Sequence, residues 1–261
     1  MQAKEQQTTA LDTFDDLIAD AGRGTENIRS KDVRPPRIVL CQSGSPQRKE
    51  GNEKQIPGLQ ELDLFNSLSG EIYGRSLTFT VIKMLGTHWV EFNKDLQVVD
   101  RDVPEDDPRA QWTENEDGER VKPVATQFYD YIVWLTEHHE VCALSFKSTQ
   151  IKNALKLNGL LKNPLKTGGK ILVNPPAWAR TYVLTTTMQQ DKKYAWAGYN
   201  LATAPGITPL ETRQHCSILA NDYKGAKFDI ERDENDVEQQ QEANGSEDAQ
   251  QPATAADDAE M

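Results

Sequence analysis

Gln127-Phe-Tyr-Asp-Tyr-Ile-Val-Trp-Leu135 is the stretch that decides the fold class. Six of its nine residues are aromatic or β-branched, the kinds that fit a pleated, half-buried surface, so it reads as the strongest strand of the chain. Residues 141–146 follow as its neighbour. Upstream, Pro35 and Pro36 enforce an extended entry into a strand at 37–41. A polar stretch at 42–55, with Gly44, Pro46 and Gly51, reads as turns. Residues 71–73, 77–84 and 88–92 read as further strands. Downstream the period changes. Ser148 reads as a helix N-cap, and Ile151, Ala154, Leu155 and Leu161 mark one apolar helical face. Residues 178–188 and 193–199 look like a last strand pair, Gly168-Gly169 like a hairpin or loop pair, and 209–223 like a short closing helix. The pattern predicts a mainly β fold: an OB-like barrel with one principal helix and disordered termini, a mixed α+β domain being the alternative.

Charge divides the chain into three parts. Residues 229–261 hold 12 acids and one base, a net −11 in a chain of −12. With almost no large apolar residues, this acidic tail is expected to stay disordered. Residues 1–32 form an arm of net −3, with a short amphipathic helix marked by Leu11, Phe14, Leu17 and Ile18. The remaining core, 33–228, is +2, although its segment 100–120 carries 9 acids against 3 bases and reads as an inserted acidic loop.

Several function classes are disfavoured. No apolar run approaches a membrane span, and the polar first nine residues lack a signal-peptide core, so a cytoplasmic protein is expected, without membrane contact. Cys41, Cys142 and Cys216 are odd in number and far apart, which fits buried thiols in a reducing compartment. His138 and His139 are adjacent while His88 and His215 are remote, so no zinc spacing exists and neither metal nor cofactor is expected. Thr167-Gly-Gly-Lys170 lacks a phosphate loop's first glycine, Pro164 standing there, and Ile171 replaces the required hydroxyl. An enzyme is not expected.

Residues 145–195 carry nine bases and one acid. The bases are Lys147, Lys152, Lys156, Lys162, Lys166, Lys170, Arg180, Lys192 and Lys193, and the acid is Asp191. Lys152 and Lys156 fall on one helical side. Trp178, Arg180 and Tyr182 would share one face of a strand, with Tyr194 and Trp196 on its neighbour. Lysines that track phosphates beside aromatic rings that stack on unpaired bases form a surface for single-stranded nucleic acid, tolerant of sequence. The competing reading is that the aromatics are core and the lysines a solvated rim.

A β-rich core with such a surface and an acidic C-terminus resembles phage replication single-stranded DNA-binding proteins of OB-type fold. Pro36-Arg-Ile-Val-Leu-Cys-Gln-Ser-Gly-Ser-Pro46 and Asp63-Leu-Phe-Asn-Ser-Leu-Ser-Gly70 are similar to phage-encoded proteins of this general kind. The resemblance implies coating of exposed DNA single strands in phage DNA replication and recombination, with the tail modulating binding and recruiting replication or recombination proteins, and a homo-oligomer is compatible with it. The tail ends Asp257-Asp-Ala-Glu-Met261, where the best-known members end in an aromatic residue, so docking through such a residue does not carry over. A phage virion or assembly protein is the alternative.

Overall fold

The computed structural model describes residues 23–27, 35–94, 97–190 and 195–224. The fold is mainly β and is organised by one long strand. This strand, β4 (Ser76–Phe92), spans 17 residues. Its first part pairs with β12 (Thr181–Gln190), its middle with β8 (Thr126–Leu135) and its end with β5 (Val98–Val103), all antiparallel. The sheet continues from β12 to β13 (Ala195–Thr203) and from β8 to β9 (Glu140–Lys147), in the order β13-β12-β4-β8-β9. Register shifts between Val81 and Lys83 and between Met84 and Gly86 mark irregularities in β4. Extra residues of this kind let a strand bend between partners. The expected strands at 77–84 and 88–92 are therefore one continuous element.

Period-two alternation gives both faces of the sheet apolar side chains. On one face Phe79, Val81, Tyr131, Val133, Leu144, Phe146, Tyr182 and Leu184 are fully buried. They are covered by α1 (Ile151–Lys162) through Ala154 and Leu157, and by Ile38, Leu40, Leu64 and Tyr73. The last four belong to a small antiparallel sheet of β1 (Ile38–Leu40), β2 (Leu64–Asn66) and β3 (Ile72–Gly74). On the other face Ile82, Ile132 and Ala143 pack with Cys216 and Tyr223, contributed by α2 (Leu210–Asp222) and the residue after it. Two-stranded hairpins complete the chain: β6 (Thr113–Glu114) with β7 (Arg120–Val121), and β10 (Leu165–Thr167) with β11 (Lys170–Leu172).

Three expectations need correction. The sheet is open and does not close into a barrel: β13 and β9 lie at the two ends of its order. The acidic insertion is only partly loop, because β5 reaches into it, and Val103 and Ala110 form a small apolar cluster with Ala125 and Trp89. Ser148 is not the N-cap of α1. It sits at φ +49° and opens a 3-10 turn, Ser148–Gln150, before the helix begins at Ile151. The expected strands at 37–41, 127–135 and 141–146, the helix through Leu161 and the closing helix are all present within a residue or two at most termini. The expected arm helix and the acidic tail, 229–261, lie outside the described residues.

Candidate nucleic-acid interface

The acid-free run from residue 141 to 190 contains Lys147, Lys152, Lys156, Lys162, Lys166, Lys170 and Arg180. The fold sorts these cations into two groups. Lys152 and Lys162 are exposed on α1, and Lys166 and Lys170 are exposed on the β10–β11 hairpin that follows it. Gly168 and Gly169 make that hairpin's two-residue turn at φ +52° and +74°, where side chains with a Cβ are strained. A short connection, Asn163-Pro164, sets the hairpin directly after Lys162, so Lys162, Lys166 and Lys170 make a basic flank, with Lys152 about 15 Å back along the helix.

The other three cations have structural partners. Lys147 is buried at the end of β9, with its ammonium 5.6 Å from the centre of the Phe128 ring. Arg180 donates from Nη1 to the Leu160 carbonyl at 2.9 Å and from Nη2 to the Pro164 carbonyl at 2.8 Å. It thereby ties the C-terminal end of α1 and the hairpin base to β12. Lys156 donates from Nζ to the Leu201 carbonyl at 2.6 Å.

That last bond belongs to a seal along the outer edge of β13. Gln42 donates to the Ala197 carbonyl at 3.2 Å and accepts from the Ala197 N–H at 3.0 Å, reproducing the two bonds of a strand neighbour with one side chain. Gln150 Oε1 accepts from the Tyr199 N–H at 3.1 Å, and Asn153 Nδ2 donates to the Tyr199 carbonyl at 2.8 Å. Gly198 lies between them, and a Cβ there would displace the ends of the Gln189 and Gln150 side chains. The seal was missed from sequence because an isolated amide side chain carries no local sign of the strand it will serve.

The expected aromatic platform is not assembled. Trp178 is in a 3-10 turn, Ala177–Ala179, and packs with the α2 cluster, so it shares no strand face with Arg180 and Tyr182. Tyr182 is fully buried, 5.6 Å from the Phe79 ring. Trp196 is half-buried and pairs with Gln189, at the far end of the β12–β13 ladder from Tyr182. Tyr182 is thus a core ring and Trp178 packs partly buried against the α2 cluster, while Trp196 stays half-buried. Lys192, Lys193 and Tyr194 lie outside the described residues.

Two further polar clusters bear on catalysis. The Tyr73 hydroxyl donates to Glu140 Oε2 at 2.6 Å, and Asn66 Nδ2 donates to Glu140 Oε1 at 2.6 Å, with Cys142 Sγ 3.6 Å from the phenol. Burial and the carboxylate push the Tyr73 phenol far up, and burial pushes the Cys142 thiol up to about 12. A nucleophile needs the opposite shift. On the sheet's α2 side, Asp130 is buried with Oδ2 3.0 Å from His88 Nδ1. Among the described residues no group of three metal-ligating side chains occurs, and no helix is long and apolar enough to cross a membrane.

An open antiparallel sheet, helices on both faces and a basic flank beside a sealed edge define the class: a mainly β domain with a lysine-rich surface. The chain belongs to the Pam3 phage gp34-like protein family, whose model matches residues 3–212. It is therefore a phage-type protein. No curated protein and no solved structure matches it.

Proposed function

We propose that the chain binds single-stranded DNA during phage DNA replication and recombination, without catalysis, in the cytoplasm of the host. The observation that carries this reading is the acid-free run 141–190, whose Lys152, Lys162, Lys166 and Lys170 stand exposed in a chain of net charge −12. Segregation of that kind focuses a positive potential that attracts polyanions. With Tyr182 in the core and Trp178 packed against the α2 cluster, contact runs through phosphates. Phosphates are the same at every nucleotide, so little sequence preference follows. The acidic tail, 229–261, competes for the same lysines and is released to basic partner proteins when DNA takes its place.

The test is a titration of single- and double-stranded oligonucleotides over a range of salt. Four phosphate contacts give a log–log salt slope of about −3 for a single strand. Reversing Lys152, Lys162, Lys166 and Lys170 to Glu abolishes binding, and deleting 229–261 tightens it at low salt. Absence of any interaction of the full chain with oligo-dT at low salt overturns the reading. Preference for duplex overturns its single-strand part.

A further inference from the structure

The β10–β11 hairpin carries more than charge. Ile171, Leu172 and the following Val173 are 63%, 49% and 65% exposed in succession. Ile171 shares a hairpin face with its register partner Lys166 and with Val173 two residues on, whereas Leu172 turns to the other face with Lys170. The Ile171 face is an exposed apolar surface that a partner can cover. Lys166 and Lys170 flank them, with no acid in the hairpin.

The β6–β7 hairpin has the complementary character. Glu114, Glu116, Asp117 and Glu119 occupy its strand end and turn, all exposed, and Trp112 (49%) and Val121 (42%) lie beside them. Arg120, the one base there, is engaged with the Trp112 ring, 4.2 Å from its centre. The two hairpins are attached at opposite ends of the longest strand. Arg180 ties β10–β11 to the start of β12, where Thr181 pairs with Thr80 of β4. The segment that leads to β6–β7 leaves β5 at Val103, which pairs with Trp89 of β4. The β8 partners of Thr80 and Trp89, Trp134 and Gln127, are seven residues apart, so Thr80 and Trp89 are separated by about 23 Å at about 3.3 Å per strand residue. One chain thus holds its two complementary hairpins apart.

We propose that copies of this chain associate head to tail, with β10–β11 of one copy docked on β6–β7 of the next. Ile171 and Val173 cover Val121, while Lys166 on their face and Lys170 beside the tip meet the acids of the turn. A second copy is the partner because the chain carries both the basic apolar surface and an acidic apolar complement for it, at opposite ends. Such a contact is heterologous, leaves a free hairpin at each end and grows into a ring or filament. One hairpin pair is a small interface, so association is weak and weakens further with salt. The inference is independent of nucleic-acid binding, although Lys166 and Lys170 take part in both.

The test is sedimentation of the full chain without DNA, at low salt, from micromolar to hundreds of micromolar. The average mass is expected to rise beyond two chains with concentration. K166E/K170E and E116K/D117K should each remain single chains, and so should I171S/V173S, which leaves the charge unchanged. An equimolar mixture of the two charge-reversed variants should regain growth, since each pairs its reversed hairpin with the other's; regained growth also shows that both are folded. A wild-type chain that stays monomeric, stops at two copies, or grows equally well as E116K/D117K alone overturns the proposal. DNA is omitted, so a failure of nucleic-acid binding leaves this outcome unaffected.

Discussion

Arg180 shows how one cation changes meaning once its neighbours are known. Its guanidinium donates to the carbonyls of Leu160 and Pro164, near the end of α1 where backbone acceptors lack helical donors. A cation at that end also opposes the helix dipole. Arg180→Ala removes two hydrogen bonds from a charged donor and is expected to cost about 2 kcal/mol of stability, measured by urea unfolding. The hairpin base loses its tie to β12, so amide exchange should accelerate across β10 and β11. Phosphate binding, by contrast, should fall less than in K166E/K170E. If R180A left stability unchanged but abolished DNA binding, Arg180 would be a contact residue after all. From sequence, Arg180 is indistinguishable from Lys166 or Lys170, because nothing within a few residues of it says where the carbonyls of 160 and 164 will lie. The aromatics pose the same difficulty. Period-two placement puts Tyr182 on a face, and only the packing of Phe79 against it says that the face points inward.

At the scale of elements, the β13 edge explains why the sheet neither closes nor continues. Exposed edge strands invite pairing with another chain, and proteins protect them with charge, bulges or coverage. Here the protection comes from side chains of three separate places: Gln42 ahead of the first turn, Gln150 before α1, and Asn153 and Lys156 on it. Replacing Gln150 and Asn153 with Ala strands the Tyr199 N–H and carbonyl. Each orphaned buried group is expected to cost about 1–3 kcal/mol, read as a lower urea midpoint and as faster exchange of the Tyr199 amide. The variant should also gain a tendency to form thioflavin-positive aggregates, as an opened edge would. An unchanged Tyr199 exchange rate would show that these side chains do not protect the edge. The strands themselves were legible because aromatic and β-branched runs such as 127–135 act locally. The barrel expectation failed because closure is decided at the edges. The Gln42–Ala197 pair joins residues 155 positions apart, a distance over which composition and period carry no information.

For the whole molecule, the burial that makes the core also sets its tolerance of alkali. Cys41 is pushed up to about 11 by burial, and Cys142 and Cys216 up to about 12. Burial likewise raises the phenols of Tyr73, Tyr131, Tyr182 and Tyr223. In the unfolded chain a thiol ionises near pH 8.5 and a phenol near about 10. As pH rises past the unfolded thiol value, the unfolded state sheds protons that the native state keeps. The unfolded state then binds fewer protons, and stability falls with increasing pH. The full contribution is present below about pH 8, and the three thiols together can remove up to about 4 kcal/mol per pH unit between roughly 9 and 11. The phenols steepen the loss above about pH 10. Urea midpoints measured across this range should drop progressively, and C41A/C216A, less stable at neutral pH from lost packing, should show a shallower decline. A midpoint that holds steady from neutrality through the thiol range would mean that these thiols are not excluded from water. It would also withdraw the physical ground for reading all three cysteines as core residues and not as reactive groups.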